Sequence, residues 1–186
     1  MTQRHSALLD PQQTALLVVD VQERFQSVMA GFDAMLAGCV RLTRACGLLE
    51  LPILVTEQYP RGLGTTVGAL REVFGSVVMG EKTRFSALGC REVTESLRAR
   101  KIRTVLVCGI EAHVCVQQTV HDLLAEGYGT HVAVDAIASR DPANAERAIA
   151  RMGQAGAILT TTEMAAFELL VDAKHPHFKE VQSLFK

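Results

Sequence analysis

Apolar residues along this chain follow two rhythms. Short unbroken runs rich in Val, Leu and Ile fall at Pro11 to Asp20, Pro52 to Thr56, Ser76 to Met79, Thr104 to Cys108, Thr130 to Asp135 and Ala157 to Thr160. Runs of this length and composition fit strands buried on both faces. Between them the apolar positions recur at helical spacing: Phe32 to Leu49, Thr66 to Phe74, a segment from Cys90, and Val114 up to Gly127. Asp141-Pro142 opens a further helix in the cap-then-proline order, and two helical segments close the chain. Strand and helix alternate throughout, without internal repeat or low-complexity tract. The expected fold is therefore α/β: one domain over residues 1–186, a three-layer αβα Rossmann-like sandwich around a mostly parallel sheet of about six strands.

The two rhythms meet in Val105-Leu-Val-Cys-Gly-Ile-Glu-Ala-His-Val-Cys115. The run ends at Gly109, a turn follows, and helical spacing begins at Val114, which puts Cys115 in the first turn of a helix. Unpaired N–H groups and the positive dipole end there favour a thiolate. A free cysteine near pKa 8.5 needs about 2.7 kcal/mol to drop two units, and the dipole supplies about 0.3–1 kcal/mol, so a basic partner is required. Cys90, also near a helix start, is the rival nucleophile.

Other candidate groups lie where strands end. Pro11 to Asp20 finishes on a carboxylate, and ligands of open parallel sheets bind at the carboxyl ends of strands. Asp20 also fits as a cap for the next helix. The loop Glu57-Gln-Tyr-Pro-Arg-Gly-Leu-Gly64 has Val67 where a dinucleotide fingerprint needs a third small residue, so it reads as a pocket lip. Gly80 to Gly89 reads as a charged loop in which Lys82, by pattern alone, is a surface lysine. Cys39 and Cys46, seven apart on the long helix, fit a core face.

Composition narrows the partners. The 186 residues are 48% hydrophobic with net charge −1, enough for a continuous core and without the basic surplus that nucleic-acid or anionic-membrane binding needs. Five cysteines, none in a CxxC pair, fit reduced thiols and a cytoplasmic setting. No export signal or membrane-length apolar run is visible. His113 stands near Cys115, His121 lies on another face of the same helix, and His175 and His177 sit in the C-terminal segment. None shows metal-ligand spacing, so neither a metal nor another cofactor is expected.

Four segments together carry a family resemblance: Val18-Val-Asp20-Val-Gln22, Lys82-Thr-Arg-Phe-Ser-Ala87, Gly109-Ile-Glu-Ala-His-Val-Cys115-Val-Gln-Gln-Thr119 and Asp135-Ala-Ile-Ala-Ser-Arg140. In these the chain, from about Thr14 onward, resembles the isochorismatase-like cysteine hydrolases, and most closely the metal-free isochorismatase domain-containing proteins. The resemblance implies a catalytic triad of Asp20, Lys82 and Cys115, with Lys82 as the positive charge that the dipole arithmetic lacks. Backbone N–H groups of Glu111 and Cys115 would form an oxyanion hole beside a cis peptide joining Ile110 and Glu111. It further implies a small carbonyl substrate, a carboxamide or carbamoyl compound cleaved through a thioester, and a homo-oligomer. Substrate contacts are expected from Gln22, Tyr59, Arg61, Arg84 and Phe85.

Two departures bear on the substrate. Thr56-Glu-Gln-Tyr-Pro-Arg61 lacks the histidines with which the family's nicotinamidases bind a metal, which disfavours nicotinamide. Glu111-Ala112 stands where a small residue and threonine are common, which alters pocket shape. The cysteine itself disfavours the vinyl-ether cleavage of true isochorismatases. Two readings from other classes stay open: a scaffold that retains the site without turnover, and a redox sensor, for which Cys108 is the nearest partner but belongs to a buried strand.

Overall fold

Six parallel strands form the centre of the computed structural model, which describes residues 4–186. They are β1 (Thr14–Val19), β2 (Ile53–Gln58), β3 (Val77–Lys82), β4 (Thr104–Ile110), β5 (Gly129–Ala138) and β6 (Ile158–Thr160), in the order β3-β2-β1-β4-β5-β6. Every pairing is parallel. Among the described residues, eight α-helices connect or follow them: α1 (Phe32–Leu48), α2 (Pro60–Leu63), α3 (Gly68–Arg71), α4 (Arg91–Ala99), α5 (Gln117–Ala125), α6 (Pro142–Gln154), α7 (Thr162–Leu170) and α8 (Phe178–Ser183).

Period-two alternation along the strands divides the core into two layers. On β1, Leu16 and Val18 face α1 and α7, while Ala15, Leu17 and Val19 face α4, α5 and α6. On β4, Leu106 and Cys108 join the first layer; Val105 and Val107 join the second. Because both faces are covered, the strands read as unbroken apolar runs. Cys39 and Cys46 are fully buried in the α1 layer. The strand order reverses direction between β1 and β4, and the crevice outside their carboxyl ends is where ligands of such sheets bind.

Three local predictions give way to tertiary contacts. β3 does not stop at Met79 but runs on to Lys82, because its register with β2 continues to the Gln58–Lys82 pair. The helix expected from Thr66 to Phe74 shrinks to α3. Thr66 is held instead by the buried Glu57 carboxylate, which accepts from its N–H at 2.6 Å and its hydroxyl at 2.7 Å. β5 does not end at Asp135 either. A bulge lies between its Val132–Val107 and Ile137–Gly109 pairs, and Asp135 turns away to accept from Thr162 N and Oγ1, both at 2.7 Å.

Candidate active site

The carboxyl ends of β1, β3 and β4 each contribute one chemical group. Asp20 follows β1 in the left-handed region, φ 52, a conformation that Asp tolerates better than most residues. Lys82 is the last residue of β3. Cys115 follows β4 in a single π-type turn, Ala112–Val116, in which the N–H groups of Val114 and Val116 both donate to Glu111 O, at 3.0 and 3.2 Å. The turn runs directly into α5. The peptide joining Ile110 and Glu111 is cis. Gly109, φ 113, lets β4 pass β1 so closely that a Cβ there would overlap the Val19 main chain.

Lys82 is not on the surface. Its side chain is fully buried, and its ammonium donates to Asp20 Oδ2 at 2.7 Å, Gln58 Oε1 at 2.7 Å and Phe85 O at 2.9 Å. Those acceptors use its three N–H groups. The other Asp20 oxygen accepts from Thr56 Oγ1 at 2.7 Å. Both partners are thereby held in one orientation within a buried ion pair. Thr119 joins the parts: its hydroxyl donates to Cys115 O at 2.7 Å and accepts from Ala87 N at 2.9 Å, linking the Cys115 turn to the loop after Lys82.

The Cys115 thiol sits beside both members of the pair, and the outcome is the opposite of the expected resting thiolate. Burial first, and then the Asp20 negative charge, push its pKa up to about 12; Lys82 only partly offsets them. The physical reason is that Lys82's charge is already balanced by Asp20, so the sulfur meets a neutral pair in a poorly solvated place. Cys115 therefore rests as a thiol. The rival, Cys90, is buried at the start of α4, its thiol donating to Glu92 Oε2 at 3.1 Å, and burial also raises its pKa.

A cavity of about 300 Å³ opens onto the thiol. Its walls are largely apolar, from Phe25, Leu63, Phe85, Ile110 and Val114, with Asp20, Gln58, Glu111 and Arg140 as the polar members. Of the expected substrate contacts, Phe85 lines it and four do not. Gln22 is fully buried and engaged by main chain, bonding Gln58 N at 2.8 Å, Gln58 O at 3.0 Å and Gly64 O at 2.6 Å. It braces the loop instead of facing a ligand. Tyr59 and Arg61 line a separate surface groove, and Arg84 is exposed beside Gly89.

Arg140, the last residue of the fourth segment of the family resemblance, lines the cavity although no sequence signal marks it as a contact. Its N–H and Nε both donate to Glu111 Oε2 at 3.0 Å. Ser139 adds a second tie, to His113 Nδ1 at 2.9 Å. The segment after β5 thus anchors the turn that carries Cys115. The apolar wall residues Phe25, Leu63 and Val114 carried no sequence signal, since nothing local distinguishes them from other core positions.

A doubly wound parallel sheet with a buried carboxylate–amine pair and a thiol at its switch point defines an α/β enzyme of the hydrolase type. Residues 14–164 match the isochorismatase domain, and the chain belongs to that family, whose fold serves hydrolases of small substrates. Isochorismatase domain-containing protein 2 of Xenopus laevis is 40% identical over 182 residues, 97% of this chain and 87% of the relative. A Caenorhabditis elegans structure described as MAR1 ribonuclease superposes with TM-score 0.90 at 44% identity, covering 95% and 91% of the two chains. The Escherichia coli YcaC product, described as an octameric hydrolase of unknown specificity, shares the fold with TM-score 0.90 at 24% identity, covering 99% of this chain and 91% of its own.

Proposed function

We propose that this protein is a cysteine-dependent hydrolase of small carboxamide or carbamoyl compounds, with Asp20, Lys82 and Cys115 as its catalytic groups. The observation that carries the reading is the buried Lys82–Asp20 pair, 2.7 Å apart, beside a thiol at the base of an apolar cavity. The backbone N–H groups of Glu111 and Cys115, in the turn after β4, are the donors proposed for an oxyanion.

In this mechanism Asp20 accepts the thiol proton as sulfur bonds to the substrate carbonyl carbon, and the carbonyl electron pair moves onto oxygen. The proton on Asp20 passes to the leaving nitrogen as the C–N bond breaks, releasing ammonia and leaving an acyl thioester. Water then attacks the thioester, giving a proton to Asp20; the C–S bond breaks and sulfur recovers that proton. Lys82, bonded to the Asp20 carboxylate, stabilises charge as it shifts from carboxylate to sulfur. A thiol at rest suits this cycle, because the base stands ready and charge develops only during attack.

The ribonuclease description of the C. elegans protein names a different chemistry. A phosphodiester cleft calls for cations presented to phosphate, whereas Lys82 is enclosed and committed here. We further propose a homo-oligomer, supported by the octameric description of the E. coli neighbour, and a cytoplasmic setting, supported by five free cysteines. The test is ammonia release from an amide panel, with an RNA substrate alongside: the wild type should release ammonia and Cys115→Ala should not. A scaffold would release none in either form.

A further inference from the structure

Charge is balanced within the protein at every point where the cavity meets an ionised group. Asp20 is paired with Lys82 at 2.7 Å, and Glu111 with Arg140 at 3.0 Å. The Gln58 amide is also committed at both ends, accepting from Lys82 Nζ and donating to Thr83 O at 2.8 Å. What remains for a ligand is an apolar wall, a thiol and main-chain donors.

We infer that the substrate is an uncharged primary amide with a compact apolar acyl group. This inference rests on the proposed amide hydrolysis and deepens it. An anionic substrate would have to share the Arg140 guanidinium with the Glu111 carboxylate already bonded to it, and would also face Asp20. A cationic substrate would compete with Lys82 and Arg140 for the same two carboxylates. Either ion loses water in an apolar cavity without gaining a counter-charge of its own, whereas a neutral amide leaves both pairs intact. The volume of about 300 Å³ lies at the small end for ligand pockets. Its acyl group is accordingly small.

Glu111 and Arg140 thereby become the residues that set this selectivity. Removing either member leaves its partner as an uncompensated charge on the wall. Arg140→Gln should admit cations and Glu111→Gln should admit anions. Their locations make the prediction specific, since Arg140 stands at the rim with its side chain 58% exposed and Glu111 lies inside at 6%.

Two alkylating probes of similar size read the charge preference directly. Iodoacetamide is neutral and iodoacetate is anionic; each forms a bond from sulfur to its methylene carbon and expels iodide, with the thiol proton released to solvent. Rates at Cys115, followed by peptide mass spectrometry and normalised to a small free thiol, should favour iodoacetamide by about tenfold or more, and Glu111→Gln should erase most of that preference. Equal normalised rates, or faster reaction with iodoacetate, would overturn the inference. So would an unchanged preference in Glu111→Gln, provided circular dichroism shows the variant folded; if it is not, the wild-type ratio decides. Matched substrates give the second arm: valeramide should be cleaved more efficiently than succinamate or 4-aminobutyramide, and a preference for either charged amide would contradict the proposal. Alkylation needs no turnover, so loss of the charge preference and absence of amide hydrolysis are read as separate failures.

Discussion

Lys82 Nζ donates to Asp20 Oδ2 across 2.7 Å although the residues lie 62 positions apart, and neither side chain is more than 2% exposed. A pair so enclosed joins the edge strand β3 to the central strand β1. Breaking it by removing one partner leaves an uncompensated charge, which typically costs about 3–5 kcal/mol. Lys82→Met should therefore lower unfolding free energy by about that amount, and adding Asp20→Asn should restore most of it. Denaturant titration of the single and double variants checks this. Equal losses in the two would contradict it.

Cys115 gives the pH prediction. Its pKa is raised from the ordinary thiol value to about 12, chiefly by burial and then by Asp20. The thiolate fraction should grow about tenfold per pH unit through neutrality and past pH 9, without levelling off near pH 6 or 7. Iodoacetamide rates measured from pH 6 to 10 should keep climbing. Asp20→Asn removes the second-largest cause of the rise, so its rate at a given pH should be higher. A plateau at neutral pH in the wild type would show a stabilised thiolate instead.

Gln22 and Phe85 separate support from contact. Gln22→Ala leaves part-buried main-chain groups of Gln58 and Gly64 without their partner, and an unsatisfied group costs up to about 1–3 kcal/mol when buried. Its melting temperature should fall. Phe85, about half exposed and on the cavity wall, should behave the other way: Phe85→Ala should raise KM while changing stability by less than about 1 kcal/mol. Thermal melts and steady-state kinetics on both variants decide.

Gly109 tests the closeness of β1 and β4. Its φ of 113 and the Val19 main chain beside it leave no space for a methyl group. Gly109→Ala should destabilise by more than about 3 kcal/mol, from strain and overlap together. Soluble yield and a denaturation curve are the readouts, and a wild-type melting temperature would contradict the described approach.

The strands that became β1, β2 and β4 were legible because parallel strands covered on both faces leave unbroken apolar runs. β5 was cut short because Asp135 looked like a terminus, when its carboxylate in fact serves Thr162 across the bulge. Local pattern placed Lys82 on the surface, since its partners Asp20 and Gln58 come from other strands; only the family resemblance named it. Tyr59, Arg61 and Arg84 lie on loops at strand ends, where substrate contacts are expected, but the backbone directs Tyr59 and Arg61 to a neighbouring groove. The resting state of Cys115 is not legible from local sequence. Helix position and one nearby amine favour a thiolate, but burial and the Asp20 charge outweigh them.

The central claim is that Cys115 forms the covalent bond while Asp20 takes its proton. Rapid quenching of the wild type with a turned-over amide, followed by peptide mass spectrometry, should find the acyl group on the Cys115 peptide, with little in Asp20→Asn. Turnover without an acyl adduct on Cys115, or equal adduct in the Asp20→Asn protein, would contradict the account.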